Sequence, residues 1–479
     1  MNRSMIRFLL AKLLIIEGVL LLVPVFVALY YKESSQVFVA LFSTIGILVV
    51  LGLLGIIRKP KKQRIYAKEG VLIVALCWIL WSFFGALPFV FSEQIPNLID
   101  AFFEISSGFS TTGATILNDV SVLSRSLLFW RSFTHLIGGM GVLVFALAIM
   151  DNAKNSHLEV MKAEVPGPVF GKVVSKLKNT AQILYILYLA MFALFVVIYY
   201  LAGMPLYDSF VIAMGTAGTG GFTVYNDGIA HYHSSLITYL TSIGVLMFGV
   251  NFNLYYYLML RRIKEFFFDE ELRAYLLIVA ISTGLITLNT LHLYSGVSQS
   301  FEMALFQVFN IITTTGFGYG SITNWPLFSQ YILLFLMAIG GSAGSTAGGL
   351  KIIRGLILAK IAKNQVLSIL SPHRVLTLHV NGTVIDKDTQ HKILKYFVIY
   401  IMILLGLIFV ISLDNNNLMI VTSAVFSCFN NIGPILGTSA NFSIFSPFSK
   451  ILLAFAMIAG RLEIYPILLL FMKRTWSKR

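Results

Sequence analysis

Four short turns hold the residues of this 479-residue chain whose types and spacing could do chemistry. They read Ser110-Thr111-Thr112-Gly113-Ala114, Gly218-Thr219-Gly220-Gly221-Phe222, Thr313-Thr314-Thr315-Gly316-Phe317 and Asn430-Asn431-Ile432-Gly433-Pro434. Aligned on one glycine, the equivalent positions are Gly113, Gly220, Gly316 and Gly433, and three of the four follow a threonine. A monovalent cation that has shed its water needs oxygen ligands, and stacked rings of backbone carbonyls supply them. A strand that aims successive carbonyls at one axis needs a residue free of Cβ constraints, which is glycine. Threonine hydroxyls could complete a lower ring. The ligand candidates are therefore Thr111, Thr112 and Gly113, then Thr219 and Gly220, then Thr314, Thr315 and Gly316, and last Asn431, Ile432 and Gly433. No turn carries a carboxylate, which argues against a ring selective for divalent ions.

Such turns must be held by something, and the composition says what. Only 12% of residues are charged while 57% are hydrophobic, against about 25% charged in an ordinary soluble domain. Lipid must therefore be the main solvent. Apolar stretches long enough to span a bilayer fall near 8–31, 38–57, 70–92, 125–150, 180–203, 235–260, 271–294, 327–360, 392–413 and 449–472, since about 20 residues suffice. That makes ten expected spans. Semi-apolar segments near 97–112, 206–219, 301–315 and 417–431 are too short to cross, and each ends in one of the turns. Such segments suit re-entrant helices, tolerated only where protein or a water-filled cavity surrounds them. Each would aim its negative C-terminal end at the turn, which favours a cation.

After the first two spans, the order span, short segment, span occurs four times, with turns about 100 residues apart, as copied modules are. The expected fold is an all-α membrane protein with four span–pore-helix–span repeats around one pore, plus two extra N-terminal transmembrane helices. The expected organisation is a two-helix unit and basic loop over 1–69, then repeats over 70–160, 161–265, 266–391 and 392–479. The N-terminal stretch is read as a permanent span and not a signal peptide, because its apolar core is too long and lacks a small-residue cleavage site.

The formal charge of +14 could hint at nucleic acid, but its distribution excludes that. With the N-terminus inside, the inner loops collect Arg58, Lys59, Lys61, Lys62, Arg64 and Lys68, then Lys154 to Lys178, Arg261 to Arg273, Lys360 to Lys395 and the tail from Lys473. The outer segments hold only Lys32, Arg125 and Lys450. That is the positive-inside pattern of a multi-pass protein with both termini cytoplasmic. The two cysteines, Cys77 and Cys428, lie in apolar runs and read as buried packing. No metal-ligand spacing, nucleotide-binding glycine loop or Ser-His-Asp set is present, so the chain is not expected to be an enzyme or to carry an organic cofactor.

Further motifs complete a resemblance. They are Phe129-Trp130-Arg131-Ser132 with Gly138-Gly139-Met140-Gly141, the run Gly340-Gly341-Ser342-Ala343-Gly344-Ser345-Thr346-Ala347-Gly348-Gly349, and Gly460-Arg461-Leu462-Glu463. Together with the four turns, over nearly the whole chain, they resemble the bacterial TrkH-type subunits of the Trk/Ktr/HKT superfamily of potassium transporters. The extra N-terminal pair of spans is similar to the TrkH type and unlike the shorter KtrB type. The resemblance implies potassium as the transported ion, because the first turn of potassium-selective members holds glycine where sodium-favouring plant members hold serine. It implies a homodimer with one pore per subunit in the bacterial cell membrane, and a cytosolic TrkA-like ring that binds nucleotides and controls the gate. It also implies that the run Gly340 to Gly349 is an intramembrane gate loop, with Arg461 near it below the turns.

The residues themselves favour a broken helix at that run, since each glycine costs a helix about 1 kcal/mol relative to alanine. Lys351 and Arg354 would then sit at the inner mouth. Arg461 is an intramembrane charge that must face a cavity or a partner. Glu463, two residues on, points to another face and is not expected to pair with it. Arg131 reads as more structural, and His135 as a packed histidine. The segment Val375 to Ile385, alternating around Asn381-Gly382, reads as a hairpin at the inner face, suited to docking a cytosolic protein. Two mechanisms stay open: a channel-like subunit gated by its partner, and a symporter coupling potassium to Na⁺ or H⁺. The channel-like reading is favoured, because only Glu17, Glu104 and Glu463 stand as intramembrane carboxylates.

Overall fold

The computed structural model describes residues 2–60, 66–141, 177–320, 322–371, 376–415, 417–438 and 440–476. The expected basic loop over Lys154 to Lys176, the boundary between the first two repeats, Lys61, Lys62, Arg64 and the start of the hairpin at Val375 lie outside them. Apart from one small hairpin, the described chain is helical.

The N-terminal unit consists of α1 (Arg3–Leu20), α2 (Leu22–Tyr31) and α3 (Ser35–Ile56). The first two join into one apolar span of 29 residues. Helix α1 packs along α3, with Gly52 and Gly55 where the backbones meet: a Cβ on Gly55 would lie 2.4 Å from that of Ala11. Small residues at a crossing are how helices in lipid gain close contact.

Four groups of similar build follow. In the first, α5 (Leu98–Phe109) lies between α4 (Ala67–Phe91) and α6 (Arg125–Gly139). In the second, α8 (Leu206–Gly218) lies between α7 (Leu177–Leu201) and α9 (Ser235–Phe248), which continues as α10 (Phe252–Met259). After the short α11 (Ile263–Phe267) comes the third, where α13 (Val297–Ile312) lies between α12 (Glu270–Thr290) and α14 (Leu327–Ile339). Helix α15 (Ile352–Leu370) and the strands β1 (His379–Val380) and β2 (Thr383–Val384) lead to the fourth, where α17 (Leu418–Phe429) lies between α16 (Lys387–Ile411) and α18 (Pro447–Arg461). Helix α19 (Tyr465–Phe471) follows. The four central helices have 12, 13, 16 and 12 residues, about 18–24 Å at 1.5 Å each, too short for a 30 Å core.

The count of spans differs from expectation. Ten are read from hydropathy, yet among the described residues six helices are long and apolar enough to cross, or seven if α9 and α10 count as one span bent by 90°. The shortfall falls at the same place in every group: the span after the turn stops midway. Helix α6 ends at Gly139, α9 turns at Gly249, α14 ends at Ile339 and α18 ends at Arg461. Hydropathy cannot see such breaks, because the residues that make them are themselves small or apolar. Three of them show in the backbone, where Gly141, Gly340, Glu463 and Ile464 have positive φ, and the one at Gly249 shows as the 90° bend.

Candidate ion pathway

Each central helix ends in the same capped turn. The residue that closes each helix is left-handed in all four, with φ of 57° at Thr111, 53° at Thr219, 57° at Thr314 and 61° at Asn431; Thr219 is the cap itself, and the others follow it. The next N–H reaches back five residues in every case: Thr112 to Ser107, Gly220 to Gly215, Thr315 to Asn310 and Ile432 to Ser427, at 2.8–2.9 Å. This Schellman-type closure ties off the helix end. The residue after that is a glycine at positive φ, namely Gly113, Gly221, Gly316 and Gly433.

That pattern corrects the expected alignment at one turn. Gly221, not Gly220, is the counterpart of the other three glycines, and Gly220 occupies the position of Thr112, Thr315 and Ile432. The reason lies in a neighbour. A Cβ on Gly220 would fall 2.5 Å from the His135 ring, so His135 fills the space that a side chain takes in the other turns. The repeated Gly-Gly in the sequence hides this one-residue shift.

The four turns form a closed ring. A Cβ on Gly113 would meet the Gly220 carbonyl oxygen at 2.0 Å, one on Gly221 that of Thr315 at 2.1 Å, one on Gly316 that of Ile432 at 1.9 Å, and one on Gly433 that of Thr112 at 2.7 Å. Each glycine thus lies against the carbonyl just before the glycine of the next turn, and the fourth contact returns to the first. Any side chain at these positions would push a neighbouring carbonyl aside. The threonine hydroxyls are engaged elsewhere: Thr112 with Ser110 and Thr315 with Thr313, both at 2.7 Å, and Thr219 with the Gly218 carbonyl. The ring is therefore made of backbone.

Against this ring lie the four breaks. A Cβ on Gly139 would meet Gly218, one on Gly249 the Thr313 side chain, and one on Gly348 the Asn430 carbonyl. The first three breaks thus touch the end of the following central helix, while at the fourth a Cβ on Gly460 would meet the Phe429 carbonyl at the end of α17. The segment 340–351 crosses between them. Its Gly348 N–H donates to Thr314 Oγ1 at 2.6 Å, which fastens it to the third turn. Ser342 N–H donates to the Gly249 carbonyl, and the Thr346 hydroxyl to that of Phe248. Arg461 donates to the Thr346 carbonyl and, across the molecule, to the carbonyls of Gly138 and Gly139. One guanidinium thus ties the end of α6 to the segment, satisfying carbonyls that the broken helix leaves open.

The neighbouring charges are paired. Glu463 does not meet Arg461; it pairs with Arg354 at 2.5 Å, and Arg354 lies 4.1 Å from the centre of the Tyr396 ring. Lys351 is not at an open mouth. It is buried, with its ammonium on the Ala347 carbonyl. Arg131 and Glu104 form a fully buried pair at 2.5 Å, and Arg131 lies 3.3 Å above the ring of Phe222, on which His135 also stacks. This cluster braces the second turn from α6.

The hairpin exists, shorter than expected, with His379 opposite Val384 and Val380 opposite Thr383. Its turn is tied to the start of α12: Asn381 Nδ2 donates to Asp269, and its backbone N–H to Glu270. Leu378, Val380 and Ile385 share a small core with Ile353, Ile357, Ile393 and Ala343 of the 340–351 segment. Glu271 accepts from the N–H groups of Ala343 and Ile353. Sequence reading treats hairpin and segment as separate features, but here they pack together.

Comparison with known proteins now decides the family. Residues 34–478 match the model of the TrkH family, described as a cation transport protein. The chain belongs to the TrkH family. It is 33% identical to the Trk system potassium uptake protein TrkH of Escherichia coli K12 over 96% of each chain. It is 32% identical to the TrkG protein of the same organism over 95% of each. The crystal structure of the potassium transporter TrkH from Vibrio parahaemolyticus superposes with a TM-score of 0.90 at 30% identity, covering 100% of both chains. As a member of the TrkH family, the chain is a multi-pass membrane cation transport protein and not an enzyme.

Proposed function

We propose that this chain takes up potassium across the cell membrane through a filter of backbone carbonyls, in a channel-like manner. The closed ring of four turns carries this reading. Carbonyls packed this tightly can replace the water of one ion but cannot move apart cheaply, and four central helices end on them with their negative poles. The filter would comprise Thr111–Gly113, Thr219–Gly221, Thr314–Gly316 and Asn431–Gly433. The potassium uptake named for the relatives supports the choice of ion. Of the three intramembrane carboxylates, Glu104 pairs with Arg131 and Glu463 with Arg354, which supports the channel-like mechanism over symport at those two, because a coupling site needs a carboxylate free to take up the second ion. Glu17 on α1 is buried with no hydrogen-bond partner among the described residues. Glu17→Gln, which should leave potassium flux independent of pH and Na⁺ as in the parent, tests the same point.

The segment Gly340 to Gly349, held by Arg461, would close the pathway below the filter. A TrkA-like cytosolic ring would act on it through the hairpin, whose core includes Ala343. Cytoplasmic termini follow from the positive-inside charge pattern, and a homodimer follows from the resemblance. Flux of K⁺, Rb⁺, Na⁺ and Li⁺ into liposomes holding the purified protein tests the proposal. Potassium and rubidium should pass well ahead of sodium and lithium. Equal passage of all four would end the filter reading.

A further inference from the structure

A pocket of about 570 Å³ opens at the end of the N-terminal unit, away from the ring. Its lining includes the exposed Arg3 and Arg7, then Leu10, Leu14 and Leu51, and Trp476 from the C-terminal segment. Residues 3, 7, 10 and 14 fall on one face of α1, since positions three and four apart are helical neighbours. The pocket therefore runs from two guanidinium groups to aliphatic side chains along a single helix. Arg58, whose carbonyl accepts from Arg7, lies beside the charged end, and Lys473 and Arg474 precede Trp476 in sequence.

That polarity is the polarity of a phospholipid. Arg3 and Arg7 are both exposed, and among the described residues neither pairs with a carboxylate. Arg7 spends one donor on the Arg58 carbonyl at 3.2 Å and keeps the rest. Farther in, the wall offers nothing polar to bind. The Trp476 indole N–H is already used on the Leu470 carbonyl at 2.8 Å. A peptide would bury its backbone there unsatisfied, whereas an acyl chain would not. Tryptophan also suits the boundary between headgroup and hydrocarbon.

We propose that this pocket binds one anionic phospholipid of the leaflet facing the basic loops, its phosphate on Arg3 and Arg7 and one acyl chain along Leu10, Leu14 and Leu51. Basic pockets between helices are recognised sites for acidic headgroups. The lipid would wedge α1, the end of α3 and the C-terminal segment together. This inference does not depend on the filter reading.

Native mass spectrometry of the full-length, detergent-solubilised protein tests it, with phosphatidylglycerol, phosphatidylcholine or inorganic phosphate added. Phosphatidylglycerol should remain bound. The double variant Arg3→Gln/Arg7→Gln should lose it roughly thirtyfold, at about tenfold per 1.4 kcal/mol and about 1 kcal/mol per cationic side chain. Leu51→Trp, at a partly exposed wall position, should displace the lipid while both arginines stay. Lys12→Gln serves as control, because Lys12 lies over the Phe8 ring outside the pocket, and occupancy should not change. The proposal is overturned if the double variant binds as the parent does, if phosphatidylcholine binds equally well, or if Lys12→Gln costs as much as the arginine pair. It is also overturned if millimolar phosphate competes while Leu51→Trp has no effect, since the site would then hold a free anion.

Discussion

The ring of turns and the layer of breaks against it are built from the same four repeats, yet they obey different rules. In the ring, all four repeats do one thing: left-handed residue, five-residue return bond, glycine on the next repeat's carbonyl. In the breaks, each repeat does something different. The first offers two open carbonyls, the second bends by 90°, the third inserts a ten-residue small-side-chain run, and the fourth supplies Arg461. Under the proposed reading, an ion held on an axis would need equivalent ligands from every side, which the symmetry of the ring would supply. A closure would need one part that moves against others that hold it, which the unequal breaks would supply. A segment of little side-chain volume, fastened by a few hydrogen bonds, can take two conformations without opening a cavity.

The strongest test of this contrast strikes the symmetric half. Gly113→Ser places a Cβ 2.0 Å from the Gly220 carbonyl oxygen at a φ of +78°. Either the carbonyl moves or the turn does, and both distort the ring. The K⁺/Na⁺ flux ratio should fall by about tenfold or more, the equivalent of about 1.4 kcal/mol between two ions. Gly203→Ser serves as control, since its φ is also positive, at +99°, but nothing lies within 4 Å. An unchanged ratio for Gly113→Ser in a folded protein would remove the ring from selectivity. The same ratio lost for Gly221→Ser would sharpen the corrected alignment.

Arg461→Ala strikes the asymmetric half. It frees the Thr346, Gly138 and Gly139 carbonyls and removes a positive charge from beside the 340–351 segment. Charge-assisted hydrogen bonds contribute about 1.5–3 kcal/mol each, so losing even part of this should shift the segment toward its open state. Basal potassium flux without any partner should rise roughly tenfold with the K⁺/Na⁺ ratio intact, a separation that tells gate from filter. Basal flux at the parent level would place the closure elsewhere.

These two halves were not equally legible in the sequence. The turns could be read because each places a glycine after a short semi-apolar segment at intervals of about 100 residues, and steric need forces that glycine. Only the second turn misled, because Gly220-Gly221 offers two glycines and the deciding neighbour, His135, is 85 residues away. The third break was readable from its run of glycines. The others were not, because Gly138-Gly139, Gly249 and Leu462-Glu463-Ile464 look like ordinary members of apolar spans. At the first two of these, carbonyls find tertiary partners in Arg461, Ser342 and Thr346; at the fourth break, Glu463 and Ile464 take positive φ. The pairing of Glu463 with Arg354, 109 residues apart, was likewise invisible to spacing.

A smaller effect should follow from Glu271→Ala. The carboxylate accepts from Ala343 at 2.7 Å and Ile353 at 3.1 Å, pinning both ends of the segment to α12. Its loss should raise basal flux only a few-fold, about 1 kcal/mol, because the Arg461 and Thr314 contacts persist. Glu271→Gln keeps an acceptor oxygen and should recover most of the parent's behaviour. Equal flux from both variants would show that the charge, and not the fastening, matters.

The subtlest prediction asks whether the hairpin transmits or merely docks. Asn381 holds a left-handed turn position at a φ of 49° and binds Asp269 and Glu270 at the start of α12. Asn381→Ala would strain the turn by about 1 kcal/mol and release those surface contacts, while Leu378, Val380 and Ile385 keep their core with Ala343. The ring of turns is untouched, so selectivity should stay, and Arg461 still holds the segment, so basal flux should stay. Only the coupling between a bound partner and the segment is altered. If the hairpin transmits, partner-stimulated flux should fall two- to fivefold, a loss of up to about 1 kcal/mol, while pull-down of the partner is unchanged. If it only docks, binding and stimulation should fall together. A variant that changes neither would remove the hairpin from control of the segment, leaving α15 as the route by which force reaches Gly340 to Gly349.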